Sequence, residues 1–189
     1  MIKRKLLLIM GLMVLFAVPA FAQFYFGGEV PLGYITADLD TVDSDRFAVG
    51  LYGKAGFKFG VFALEGKAGY LSHMYKTEVA GETITGGLNY LRFAALGKIY
   101  PVSILYVGAG VEFSYLVGYT VSTVNETYTE TIERQDGPIY FTTNAGVEIP
   151  IGKHLYLPLG GFFNYAIANI EDNWKIMELG VTAGIQYRY

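Results

Sequence analysis

Three sets of residues in this 189-residue chain have types and spacings that suggest chemistry: two histidines, four aspartates in a row and six regularly placed charges. The histidines come first because they would serve catalysis. His73 stands in Ser72-His73-Met74 and His154 in Gly152-Lys153-His154. A hydrolytic site needs a nucleophile, a base and an orienting group within reach of one another. Ser72 and His73 are neighbours, and neighbours on a strand face opposite ways. His73 falls in a long polar connection and reads as a solvated loop residue. His154 falls in a short turn at the other end of the molecule. No catalytic set is assigned, and the chain is expected not to be an enzyme.

Asp38, Asp40, Asp43 and Asp45 alternate in the first polar connection. Carboxylates spaced this way could hold Ca²⁺ through oxygen ligands, or the divalent ions that bridge lipopolysaccharide phosphates. The glycine and closing glutamate of a helix-loop-helix calcium loop are missing, so a solvated acidic loop is the plainer reading. No metal and no cofactor is assigned.

The six charges are Glu29, Lys54, Glu65, Lys67, Arg92 and Glu112. Each lies on the polar parity of a segment that alternates with a period of two, the signature of a half-buried strand. Eight such segments follow one another: 24–34, 47–59, 62–70, 90–95, 105–117, 139–147, 155–165 and 179–189. The last is unbroken. Leu179, Val181, Ala183, Ile185, Tyr187 and Tyr189 oppose Gly180, Thr182, Gly184, Gln186 and Arg188. The fourth is weakest, setting Leu91, Phe93 and Ala95 against Tyr90, Arg92 and Ala94. Three connections are short (58–61, 97–103, 150–154). Four are longer and polar (36–46, 72–85, 120–138, 168–175). Short turns on one side and long loops on the other, with an even strand number, is the arrangement of outer-membrane barrels.

The first 22 residues read as an export signal. Lys3, Arg4 and Lys5 precede an apolar run from Leu6 to Val18, and Ala20-Phe21-Ala22 forms an A-x-A cleavage site. The run is too short to span a membrane as a helix. Removing 22 of the 189 residues leaves 167, with eleven Lys+Arg against seventeen Asp+Glu. That acidic balance excludes a nucleic-acid partner. With no Cys, disulfides and thiolate metal sites are excluded too. Residues 23–189 are expected to form a single barrel domain.

Alternation alone fits a soluble barrel, greasy inside, as well as a membrane barrel, greasy outside. Aromatics decide. Phe24, Phe26, Phe57, Phe59, Phe62, Tyr187 and Tyr189 lie near the short-turn ends; Tyr34, Phe47, Tyr70, Tyr115, Tyr119, Phe141, Phe163 and Tyr165 lie near the long-loop ends. Two girdles flanking an aliphatic band match two lipid interfaces. With lipid outside, the six charges fall in the lumen at one height. Three acids and three bases there form an ion-pair network that plugs a bore about wide enough for side chains. Arg92 facing lipid instead would cost about 2–4 kcal/mol at mid-membrane.

Taken together, the chain resembles small eight-stranded outer-membrane barrels of the OmpA/OmpX type. Asn89-Tyr90-Leu91-Arg92-Phe93, Gly97-Lys98-Ile99-Tyr100-Pro101 and Tyr106-Val107-Gly108-Ala109-Gly110 look like the PorT-like barrel domain. The resemblance implies an outer-membrane location, contact with outer-membrane lipid and lipopolysaccharide, and folding by the barrel assembly machinery. Tyr187 and Tyr189 on the last strand would be the recognition signal for that machinery. It implies no shared catalytic residues, and the H-x-S pattern of the barrel deacylases is missing. The expected protein is an all-β, eight-stranded, antiparallel up-and-down transmembrane barrel with a plugged lumen, acting as a monomer. Its role would be structural, or surface interaction through a loop such as 121–137, whose Val-Thr-Tyr alternation would extend two strands as an exposed ribbon. A small-solute, porin-like channel is the alternative, and a lipid-modifying barrel enzyme the remote one.

Overall fold

Alternating segments of this length cannot satisfy their backbone in lipid unless every strand has two neighbours, which only a closed barrel gives. The computed structural model describes residues 22–37, 45–79, 82–122, 127–168 and 176–189. The export-signal residues therefore lie outside it, Ala22 excepted. Eight antiparallel strands follow in order: β1 (Gln23–Ala37), β2 (Asp45–Phe59), β3 (Phe62–Val79), β4 (Glu82–Val102), β5 (Leu105–Ser122), β6 (Thr127–Pro150), β7 (Leu155–Ala168) and β8 (Ile176–Arg188). Each pairs with the next, and β1 pairs with β8 from Tyr25↔Arg188 to Ala37↔Ile176, closing the barrel.

The strands run further than hydrophobic alternation alone suggests. The second polar connection, expected over 72–85, is strand at every described residue, because β3 continues to Val79 and β4 starts at Glu82. The turn expected over 97–103 shrinks to Ser103 and Ile104. Over 120–138, β5 and β6 pair down to Ser122↔Thr127, as the ribbon reading expects. Pairing goes on wherever a neighbouring strand supplies hydrogen bonds, whatever the side chains, so polar strand ends look like loops in sequence. Between β2 and β3 the turn is Gly60-Val61, with Gly60 at φ +61°, a conformation that glycine adopts without strain.

The molecule is apolar outside and polar inside. Leu51, Leu179 and Val181 are each at least 60 % exposed, as parts of an outer wall of Leu, Val, Ile and Phe, whereas Arg92 and Glu178 are fully buried. A continuous apolar wall of this extent is untenable in water. The soluble, inward-greasy barrel is thereby excluded. Aromatic rings meet at both ends of the wall: Phe24 with Phe57 (5.3 Å) and Phe26 with Tyr187 (5.6 Å) near the short turns, and Tyr34 with Phe47 (5.8 Å) near the long loops. The weak fourth segment takes the expected register, with Leu91 and Phe93 exposed and Arg92 inside.

Val181 sits in the middle of β8 beside Leu32, on the lipid face. Val181→Arg is expected to destabilise the folded barrel by about 2–4 kcal/mol, read from urea unfolding in lipid vesicles. Wild-type stability of that variant would contradict the assignment of the outer wall.

Candidate functional site

Every strand from β1 to β8 sends polar side chains into the bore. Lys54 of β2 and Lys67 of β3 stand directly opposite each other, a like-charge pairing that is unfavourable on its own. Glu29 of β1 resolves it: Lys54 donates to its Oε2 at 3.1 Å, and Lys67 donates to its Oε1. Glu65 of β3 accepts from Lys98 Nζ at 2.7 Å and lies 3.7 Å from Lys67. Tyr25 of β1 also donates to Glu65. These five charges form one connected set toward the short-turn end.

A second set centres on Arg92, whose guanidinium is completely buried. Nη1 donates to Glu112 at 2.6 Å and to Glu178 Oε2 at 2.8 Å, and Nη2 donates to Glu178 Oε1 at 2.6 Å. Glu178 thus receives the two-pronged geometry that a guanidinium offers a carboxylate. β4 and β8 are four strands apart in a ring of eight, so this pair spans the bore from wall to wall. Asn164 donates to Glu178 at 2.9 Å and Tyr52 to Glu112 at 3.4 Å. The Tyr140 ring lies 4.7 Å from the guanidinium carbon. Near the short turns a third set joins Glu148 to Arg188 and to the Tyr100 hydroxyl (2.8 Å).

All six expected charges are inside, but in more than one group and at more than one height. Glu29, Lys54, Glu65 and Lys67 belong to the first set; Arg92 and Glu112 belong to the second. Strands tilted against the barrel axis, typically by 35–45°, bring together residues that a flat reading separates. Four further charges belong here: Lys98, Glu148, Glu178 and Arg188. Lys98, Glu148 and Glu178 continue the inward parity just beyond the segments read from hydrophobic alternation, and Arg188 stands on the polar parity of the last segment. His73 corrects the solvated-loop reading. It is buried in the lumen, with Nε2 2.7 Å from Arg92 Nη2 and 3.0 Å from Glu178 Oε1. His154 sits in the turn after β6, its Nδ1 3.0 Å from the Arg188 carbonyl oxygen.

Among the described residues, five glutamates face five cations inside, and two half-buried cations, Arg46 and Lys58, stand at the ends of β2. Little room is left. A cavity of about 30 Å³ remains among Glu29, Arg92, Asn144, Asn164 and Glu178, space for about two waters. Glycine makes the fit possible: the Tyr106 hydroxyl lies 2.5 Å from where a side chain at Gly160 would begin, and the Tyr25 hydroxyl 2.6 Å from the same point at Gly56. Of the acidic row, Asp38, Asp40 and Asp43 lie outside the described residues, as does the Asp45 side chain. No group of three metal-binding side chains occurs among the described residues. Tyr187 is half-buried against Phe26 and His154, and Tyr189 is exposed.

No protein-family model matches the chain, and no curated protein does. The PorT-like likeness over residues 89–110 therefore rests on its motif. Solved structures do match. One is Neisserial surface protein A, 15 % identical with a TM-score of 0.54, over 88 % of this chain and 97 % of that one. Another is the outer membrane protein OprG from Pseudomonas aeruginosa, 12 % identical with a TM-score of 0.56, over 89 % of this chain and 96 % of that one. At these identities the likeness is one of fold: a small eight-stranded barrel of the outer-membrane kind.

Removing Arg92 leaves Glu112 and Glu178 buried without a counter-charge. Arg92→Met is expected to destabilise the barrel by about 3–5 kcal/mol, the usual cost of stranding a buried partner. Adding Glu178→Leu should restore part of that loss, because the stranded charge goes with it. Urea unfolding of the four-member cycle checks this, and strict additivity would contradict the coupling.

Proposed function

We propose that the protein is an outer-membrane barrel with a closed bore that acts through its surface, as a structural or interaction protein of the envelope. The wall-to-wall pair Arg92–Glu178 carries this reading. A solute crossing the lumen would have to part a two-pronged, fully buried ion pair and leave both charges unsolvated. Around it the five acids and five bases among the described residues balance one another, so the set needs no mobile counter-ion for neutrality.

The location follows from the export-signal reading of residues 1–22 together with the fold. The girdled apolar wall supports contact with outer-membrane lipid; lipopolysaccharide and the barrel assembly machinery would be its further partners. On the long-loop side, Gly118–Ser122 pairs with Thr127–Thr131, far beyond Ile139, the last β6 residue with a partner on β7 among the described residues. This raised ribbon is the surface through which a partner would be met. Ser72 and His73 lie on opposite faces of β3, one toward the outer wall and one inside the bore, and so form no nucleophile–base pair. Non-enzymatic action is the reading that fits.

The test is single-channel recording in planar bilayers at pH 7.5. Wild-type protein is expected to give no discrete steps, and Arg92→Ala to give them. Regular steps from wild type would overturn the closed bore and make solute passage the function.

A further inference from the structure

His73 makes two contacts that a single nitrogen cannot satisfy at once. Its Nε2 lies 2.7 Å from an Arg92 nitrogen that can only donate and 3.0 Å from a Glu178 oxygen that can only accept. A ring nitrogen carries either a lone pair or a proton. The neutral ring with its proton on Nδ1 accepts from Arg92. The charged ring donates from Nε2 to Glu178 and sets its positive charge against the guanidinium.

The geometry points to a further activity, proton-gated ion passage, in which His73 is the proton-binding latch on the Arg92–Glu178 strut. The inference rests on the closed bore proposed above. With His73 neutral, Glu112 and Glu178 share the one guanidinium of Arg92. A proton on the ring brings a second positive charge to Glu178, 3.0 Å away, and sets it against Arg92. Glu178 then shares its oxygens between two cations, the two-pronged pair slackens, and the wall-to-wall barrier weakens at its tightest point.

The groups around the ring and its two partners support this assignment. Arg46 and Tyr52 face them from β2, Tyr90 and Arg92 from β4, and Glu112 from β5. Tyr140 faces them from β6, Asn164 from β7 and Glu178 from β8. Among these types only imidazole ordinarily changes charge between pH 5 and 8. The opening step is therefore assigned to the histidine.

The experiment records conductance in potassium chloride at pH 7.5 and pH 5 for wild type and His73→Gln. The glutamine amide can accept from Arg92 and donate to Glu178, but has no proton to gain. Wild type should be closed at pH 7.5 and show discrete steps at pH 5. His73→Gln should stay closed at both. Wild type closed at both values overturns the latch and leaves the closed bore standing; wild type open at pH 7.5 overturns the closed bore itself. His73→Gln opening at pH 5 like wild type moves the sensor to the carboxylates, and opening at both values makes the ring a mere wedge; either overturns the latch. A second readout needs no variant. The ring-carbon NMR shift of His73 in wild-type protein should titrate with the open probability, and a flat shift across the opening range overturns the proposal.

Discussion

The structure depends on one constraint: a ring of eight strands in lipid encloses a bore with room for side chains and almost nothing else. Lipid fixes the outer face as apolar, so alternation sends every second residue into a space that bulk water cannot fill. Whatever is polar there has to find its partner on another strand. Ten inward charges among the described residues, five of each sign, are the result. Neutrality is less a matter of composition than of geometry, since a carboxylate left alone in that space would cost far more than an ion pair returns.

How the pairs are reached follows from the same constraint. Near neighbours account for part of the network: Lys54 and Lys67 converge on Glu29, and Lys98 reaches diagonally to Glu65. Arg92 and Glu178 do something else, joining opposite walls. A long, rigid fork on one side and a carboxylate on the other fit a bore this narrow. In a wider barrel the two would face water instead. Tyrosines fill what the charges leave. Tyr25, Tyr52 and Tyr106 lie against glycines, and the hydroxyls of Tyr25, Tyr52 and Tyr100 reach carboxylates.

Much of the fold is legible in the residues. The unbroken alternation of 179–189, the alternating lengths of the connections and the two aromatic girdles lead to a closed eight-stranded membrane barrel, and Arg92 is placed inside by the cost of facing it toward lipid. The site was legible in half. Glu178 lies one residue before the apolar start of the last segment, and His73 lies in a polar stretch that looks like loop. Both belong to strands whose hydrogen bonds continue past their greasy residues, and hydrophobic period is blind to that. Relative heights are hidden from the sequence for a different reason. Counting residues from the turns treats strands as upright, whereas tilt shears Arg92 away from Lys67 and toward Glu178.

Because the chain has no cysteine, a single introduced thiol can report directly on the bore. Thr142 is buried in the lumen beside the 30 Å³ cavity, and Ser103 is exposed in a short turn. The most direct measurement is the reaction rate of Thr142→Cys and Ser103→Cys with a charged, membrane-impermeant thiol reagent at pH 7.5. A closed bore leaves the Thr142→Cys thiol unreactive from both faces while the Ser103→Cys thiol reacts freely. Comparable rates at the two positions would contradict it, because the reagent would have passed where the network of charges is said to stand.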